Sequence, residues 1–379
     1  MRKIVYLLLC MLAVSCGKKV SYDSKMYSID PNQTETIHMS EFVDSVKYVK
    51  LELTQASRIS GISEIFVDDD NLIIRSNNII YIFSDKGEFL ASINKKGRGN
   101  GEYLEIDAMT IDAKNDLIMV CCNMQRSLLY YSYDGKFVKK VDNFGSARPY
   151  IRDIKYMADG NFLCADYMHS ADVLYKLWVL NAQGDLVEDV MVGEYTFPVS
   201  SPNFTLFEMG DDGIGFMDIS SETDYIYKKG KLSQMTSYNV NGIVASDFKN
   251  VDIDKFSAEY WRQGKSFNSR ACTHYKGDYI ITRWSNENRK IFYTLVDRSK
   301  GSVKTANKID GELANSQIVL PSIERTGAYI FRNNNLDGVL TTEVVAYEID
   351  DQKTLNLLGI NADDAYTMNP LIQFIYVKR

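Results

Sequence analysis

The chain has 379 residues, 45% of them hydrophobic, and its 43 Lys and Arg against 50 Asp and Glu give a formal net charge of −7. This length is ample for a large buried core. The acidic balance argues against a nucleic-acid partner, because such a partner needs clustered basic side chains that displace counterions from phosphates.

The first segment has the pattern of an export signal. Arg2 and Lys3 precede an apolar stretch over residues 4–14, which is too short to span a membrane stably. We therefore expect residues 1–15 to be a signal peptide that takes no part in the fold.

The end of this signal carries a candidate lipid site. The sequence Ala13-Val14-Ser15-Cys16 resembles the lipobox of bacterial lipoproteins, although Ala13 stands where Leu is usual. This pattern predicts a lipoprotein with lipidation at Cys16, a flexible tether over residues 16–35, and a chain held at the membrane by its lipid. The alternative is an ordinary cleaved signal followed by a chance cysteine.

Strand patterns begin after residue 35. The segment from Val46 to Leu53 alternates between apolar and polar residues, which is typical of a strand with one buried face. Residues 65–93 then contain four apolar runs separated by Asp, Asn and Gly turns. Four strands joined by short hairpins correspond to one blade of a β-propeller.

Turns between strands recur along the rest of the chain at intervals of roughly 45 to 65 residues, the length of propeller blades. They lie at Asp70-Asn71, Asn115-Asp116, Asp159-Gly160, Asp212-Gly213, Gly277-Asp278 and Thr326-Gly327. The pattern predicts an all-β protein, a six-bladed β-propeller of four-stranded antiparallel blades that forms a single domain over residues 36–379. An insertion is expected at about residues 247–264.

The last strand-like segment covers residues 370–378, and no blade follows it. A propeller must close its ring or leave sheet edges exposed. We therefore expect an N-terminal strand near Val46 to Leu53 to pair into the blade that holds the C-terminal strand.

Four motifs carry a family resemblance: Val49-Lys50-Leu51-Glu52-Leu53, the run from Ile82 to Leu90, the loop from Gly97 to Tyr103, and Asn369-Pro370-Leu371-Ile372 followed by Lys378. They resemble those of the six-bladed β-propeller lipoproteins of Gram-negative bacteria, a family related in its repeats to NHL-type propellers. The resemblance implies the propeller fold and export. It brings little chemistry, because the function of that family is largely undefined.

The glycine-rich loop Gly97-x-Gly99-x-Gly101 is interpreted as a connection between blades, since a strand-like segment and not a helix follows it. Loops on a rigid scaffold often carry binding residues. The candidate ligand-face residues are Arg98, Glu102, Tyr103, Trp261 and Trp284. Tyr150 and Tyr167 also lie beside polar residues in loop-like contexts, an environment that suits sugars or peptides.

The chain has three histidines, His38, His169 and His274. Of these, His169 and His274 fall within predicted blades and are weak candidates for a metal site on the central axis. The preferred interpretation is that they are ordinary hydrogen-bonded or solvent-facing histidines, with no metal and no cofactor. The acidic pairs and triplets of the chain fall at predicted turns, where Asp bonds its own backbone.

The four cysteines after the signal and the lipid site are interpreted as buried free thiols, and a disulfide between distant blades stays open. They are Cys121, Cys122, Cys164 and Cys272.

Together these patterns predict an exported, lipid-anchored propeller that acts as a non-catalytic binding or scaffolding module for an envelope protein or glycan, with no nucleic-acid partner. Lys18 and Lys19 favour an outer-membrane lipoprotein that faces the periplasm, and surface display stays open. The alternative is a metal-dependent lyase or hydrolase that acts on glycans or peptides, with His169 and His274 as metal ligands.

Overall fold

The computed structural model describes residues 24–310, except 34, 149, 167–174, 194–204, 211–212, 219 and 249–265, and residues 331–378, except 333–334, 347–348 and 350–351. The predicted signal peptide, Cys16, His169, Trp261 and most of the expected insertion lie outside the described residues. None of the described helices is both long and apolar enough to cross a membrane.

Six sheets form the six blades, and each blade has four antiparallel strands, as the sequence predicted. The N-terminal elements are β1 (Lys25–Ile29), β2 (Glu35–His38), α1 (Met39–Phe42) and β3 (Val43–Lys50). The strands of blades one to three are β4 (Glu64–Asp68), β5 (Asn71–Ser76), β6 (Ile79–Ser84), β7 (Phe89–Ile93), β8 (Ala108–Asp112), β9 (Leu117–Cys122), β10 (Ser127–Ser132), β11 (Phe137–Asp142), β12 (Asp153–Tyr156), β13 (Phe162–Ala165), β14 (Tyr175–Leu180) and β15 (Leu186–Val192).

The second half of the ring follows the same plan. Its strands are β16 (Leu206–Glu208), β17 (Ile214–Asp218), β18 (Thr223–Lys228), β19 (Lys231–Val240), β20 (Ser269–Lys276), β21 (Tyr279–Ser285), β22 (Ile291–Asp297), β23 (Ser302–Asp310), β24 (Phe331–Arg332), β25 (Val339–Val344) and β26 (Leu371–Val377). A short helix α2 (Gln352–Leu357) lies between β25 and β26, and single 3₁₀ turns cover Ala113–Asn115, Asn123–Gln125, Ala245–Phe248 and Asp364–Tyr366.

The ring closes as predicted, through pairing of the two ends of the chain. Blade six has the order β24-β25-β26-β3, and β26 pairs antiparallel with β3 from Leu371 opposite Lys50 to Val377 opposite Val43. The next blade packs tightly against this closure. A side chain at Gly87 would place its Cβ 2.1 Å from the carbonyl oxygen of Lys50, and the φ of Gly87 is +87°, so only glycine fits this turn.

Two further strands lie on the outer edges of blades four and five. β1 pairs in parallel with β19, and β2 pairs in parallel with β23, so each of these sheets has five strands. We call β1 and β2 the N-terminal belt. The sequence pattern placed residues 25–29 in a flexible tether, and the structure corrects this prediction. These residues lie in the fold, because the buried side chains of Tyr27 and Ile29 pack in the core around blades four and five.

The alternating directions of the strands give the ring two distinct faces. The described loops between blades, such as residues 94–107, leave from the same side as the turns between the second and third strands of a blade, such as residues 123–126. The described residues of the stretch between β11 and β12, which include Tyr150 and Arg152, lie on this side too. We call this side the connection face. The opposite side carries the other hairpin turns, such as residues 134–136, and we call it the hairpin face.

Candidate functional site

The glycine-rich loop binds its own carboxylate. The backbone N–H of Gly99 donates to Oε2 of Glu102 over 2.8 Å. A Cβ on Gly97 would lie 2.0 Å from the same oxygen. The two glycines therefore make room for the side chain of Glu102, which occupies the place that an external anion would need. Of the candidate residues in this loop, Arg98 stays exposed.

Tyr103 and Trp284 differ from their expected place on the ligand face, because both lie in the core. Tyr103 is 0% exposed, and its hydroxyl lies 2.8 Å from the carbonyl oxygen of Asn78. Burial raises the pKa of Tyr103 to about 12. Trp284 is 1% exposed and donates from Nε1 to Oγ1 of Thr294 over 3.1 Å. Large aromatic rings fill the space between the blades here, so neither side chain is available to a ligand.

The metal-site candidates do not come together in the part of the chain that the structure describes. Within those residues there is no group of three or more His, Cys, Asp and Glu side chains that could hold a metal ion. His274 is buried, and its burial, with the nearby charge of Lys276, lowers its pKa to about 3. His169 lies outside the described residues.

The four cysteines are free in the structure, and three of them are buried. Burial raises the pKa of Cys121 and Cys164 well above the ordinary value and that of Cys272 to about 11. Such thiols are poor nucleophiles, because the reactive thiolate is disfavoured.

An exposed tyrosine between two arginines stands out on the connection face. Tyr150 is 48% exposed. The Cζ atom of Arg152 lies 5.1 Å from the centroid of its ring, and that of Arg126 lies 6.0 Å from it. These are cation–π distances. We call Arg126, Tyr150 and Arg152 the Arg–Tyr patch.

The backbone around the patch is fixed by hydrogen bonds between blades two and three. The side chain of Asn123 accepts from the N–H of Ile151 and donates to its carbonyl oxygen, both over 2.9 Å. Arg126 follows Asn123 in the same turn and donates from Nη1 to the carbonyl oxygen of Arg148 over 2.6 Å. Gln125 donates to the carbonyl oxygen of Gly97 over 3.2 Å, which joins this turn to the loop that carries Arg98.

The charges of the patch are unbalanced. Arg148 forms an ion pair with Asp189, to which it also donates hydrogen bonds. By contrast, no described carboxylate pairs with Arg126 or Arg152, and the guanidinium of Arg152 finds no hydrogen-bond acceptor among the described residues. Guanidinium forks bind carboxylates in a bidentate manner, so the patch can hold an anionic group.

A second polar group lies on the first strands of blades three, four and five, where the charges of Lys155 and Lys276 both act on Glu208. We call Asp153, Lys155, Glu208, His274 and Lys276 the axial cluster. Lys155 is 0% exposed, and its Nζ lies 5.1 Å from the ring centroid of Phe66. The carboxylate of Asp153 accepts from the backbone N–H groups of Thr205 and Leu206, which ties blade three to blade four.

Burial shifts the titration of this cluster. It raises the pKa of Asp153 to about 6, against the opposing charge of Lys155. It lowers the pKa of Lys276 to about 8 and raises that of Glu208. The cluster ties the blades together, and because its side chains are largely buried, we do not take it as the ligand site.

The pKa of His274 predicts a loss of stability in acid. Below its ordinary pKa of 6.5 the unfolded chain binds a proton at His274, whereas the folded chain does so only near pH 3. The free energy of unfolding should therefore fall as the pH falls from 6.5 towards 3. Asp153 has the opposite effect on the free energy of unfolding, which it raises as the pH falls from about 6 towards 3.8. In this range the folded chain binds a proton at Asp153 and the unfolded chain does not.

Urea unfolding across this pH range measures the effect. The His274→Gln variant should show a flatter decline than the wild type, and Asp153→Asn, which keeps an acceptor for the two N–H groups, should show a steeper one. If the free energy of unfolding changed equally with pH in all three proteins, the shifted pKa values of His274 and Asp153 would be contradicted.

Comparison with known proteins places the chain in a family. The sequence profile of the domain of unknown function DUF4934 matches residues 26–376. The chain belongs to this family. The matched region of this DUF4934 protein includes the N-terminal belt except Lys25 and the C-terminal strand β26 except Val377. No curated protein matches it.

Solved structures share the fold of the DUF4934 chain. A Bacteroides fragilis protein described as exported is 18% identical, and the match covers 94% of this chain and 100% of that one with a TM-score of 0.70. A member of the DUF4221 family from Bacteroides vulgatus is 9% identical, with coverage of 89% and 97% and a TM-score of 0.51. Identities this low show a common fold only.

Proposed function

We propose that this DUF4934 protein is an exported, lipid-anchored propeller that binds an envelope protein or glycan at the Arg–Tyr patch without catalysing a reaction. The patch is the observation that carries the proposal. It presents two guanidiniums and an exposed phenol ring on the loop-bearing face of a rigid ring, the kind of position where binding residues concentrate.

The groups in the patch favour binding over catalysis. An arginine keeps its charge in proteins, so it orients and neutralises anions but does not shuttle protons near neutral pH. No observation on the described residues favours the metal-dependent alternative, and we do not propose it.

Export and anchoring are supported by the N-terminal pattern that ends at Cys16 and by the similar Bacteroides fragilis protein, which is described as exported. Lys18 and Lys19 favour the periplasmic side of the outer membrane. The relation to NHL-type repeats stays a prediction of the sequence.

A binding screen tests the proposal. Residues 17–379 are presented to immobilised outer-membrane proteins and envelope polysaccharides, and the affinity for each retained ligand is measured for the wild type, Tyr150→Ala and Arg152→Ala. We expect both variants to bind at least about tenfold more weakly, the loss that follows from removing a charge-assisted hydrogen bond or an aromatic anchor.

Lys136→Ala is the matched control, because Lys136 is a basic residue on the hairpin face that is mostly exposed. The control should bind as the wild type does, and all variants should keep the wild-type melting temperature. If Arg152→Ala and Lys136→Ala bind every retained ligand equally well, the patch is not the binding site.

A further inference from the structure

The unpaired arginines of the patch indicate the chemistry of its ligand. We propose that the ligand is an acidic polysaccharide, whose sugar carboxylates bind the guanidiniums of Arg126 and Arg152. This inference rests on the proposed function, since it names the ligand class for the same site.

Arg148, in the same loop, has the acidic partner that Arg126 and Arg152 lack among the described residues. Its guanidinium donates to the carboxylate of Asp189, and its side chain is 10% exposed. Arg152, four residues further along the chain, has no such carboxylate among the described residues, and its Nε is buried without an acceptor. In a chain with a net charge of −7, two neighbouring arginines that form no ion pair with a described residue can attract an anionic ligand. A carboxylate brought by a ligand would give both guanidiniums the acidic partner that they lack among the described residues.

The patch is also preorganised for such a ligand. Tyr150 keeps the two guanidiniums beside its ring, and the Asn123–Ile151 hydrogen bonds fix the two chain segments that carry them. A guanidinium that contacts an aromatic ring can still use the N–H groups in its own plane for a carboxylate. Side chains that are already held lose less conformational entropy on binding.

The surroundings favour a saccharide over an acidic peptide. The described residues in this part of the connection face form turns and loops, and they offer no open strand edge to the backbone of an extended peptide. A third arginine, Arg98, is exposed on the neighbouring loop, which the Gln125–Gly97 hydrogen bond joins to the patch. Arginines at several places on the connection face can bind a polymer that carries a carboxylate on successive sugar units.

Calorimetric titration with three probes tests the ligand class. The probes are a galacturonate oligosaccharide, the same oligosaccharide with its carboxyl groups methyl-esterified, and polyglutamate. We expect the free acid to bind, and the ester to bind at least about tenfold more weakly, because an ester carries no negative charge and cannot form a bidentate ion pair with a guanidinium. Arg126→Ala and Arg152→Ala should each weaken binding of the acid by about tenfold, and added salt should weaken it further. Lys136→Ala should bind as the wild type does.

The outcomes separate this inference from the proposed function. Equal, patch-dependent binding of the acid and its ester would overturn the role of the carboxylate, and polyglutamate binding as tightly as the oligosaccharide would overturn the saccharide class. If none of the probes binds while a screened envelope ligand still depends on Arg152, the inference fails and the proposed function stands. If neither probes nor screened ligands depend on the patch, both fail.

Discussion

Replacing Asp224 with alanine is expected to lower the free energy of unfolding by about 3–5 kcal/mol, because it leaves a buried charge without its partner. Asp224 in blade four forms an ion pair with Arg270 in blade five, and both side chains are buried. The same carboxylate accepts from the hydroxyls of Tyr238 and Tyr275, over 3.1 and 2.8 Å. Arg270 also donates to three backbone carbonyl oxygens of blade four. Urea unfolding measures the loss.

Two further variants show whether the loss of stability comes from the buried ion pair. Asp134→Ala removes a carboxylate from a pair with Lys136 that is mostly exposed, and it should hardly change the melting temperature. Asp224→Ala combined with Arg270→Met removes both charges and should recover part of the stability. If Asp224→Ala alone is as stable as the wild type, the Asp224–Arg270 pair does not hold blades four and five together.

Removing residues 370–379 is expected to abolish cooperative folding. The deletion takes away β26, which pairs with both β25 and β3 in blade six. It also removes five buried apolar side chains, which are Leu371, Ile372, Phe374, Ile375 and Val377. Each contributes about 1.5–3 kcal/mol when buried, so the total loss is comparable to the whole stability of a domain.

Circular dichroism and calorimetry of the shortened chain measure this effect. A chain that lacks only Arg379 keeps β26 complete and should melt as the wild type does. Unchanged, cooperative melting of the chain without residues 370–379 would contradict closure of the ring through β26 and β3.

The ring was predictable because its signals are local. Each hairpin has its own turn residues, as at Asp85-Lys86-Gly87, and each strand has its own apolar run. The closing strand followed from a general requirement, since a ring that does not close leaves an exposed edge. The observed strand, Val43–Lys50, begins three residues before the expected one.

The N-terminal belt was not predictable in the same way. β1 and β2 are short, and each joins its blade through parallel pairing with a strand that lies far away in the sequence. No short turn connects such partners, so no local sequence pattern predicts their pairing.

The candidate site was only partly predictable. Tyr150 could be singled out from its neighbour Arg152, but Arg126 reaches it only because blades two and three are adjacent. The prediction that Tyr103 and Trp284 lie on the ligand face was wrong, because the sequence does not show whether an aromatic side chain faces a ligand or packs between blades. The role of Glu102 had a local signal, since a carboxylate three residues after Gly99 can accept from its N–H.

Hydrogen–deuterium exchange with and without the tightest screened ligand tests most directly the claim that the Arg–Tyr patch is the binding surface. The account predicts slower exchange in residues 123–126 and 143–152, with residues 94–107 next to them. Protection confined to the hairpin face, to the N-terminal belt or to residues 249–265 would contradict it.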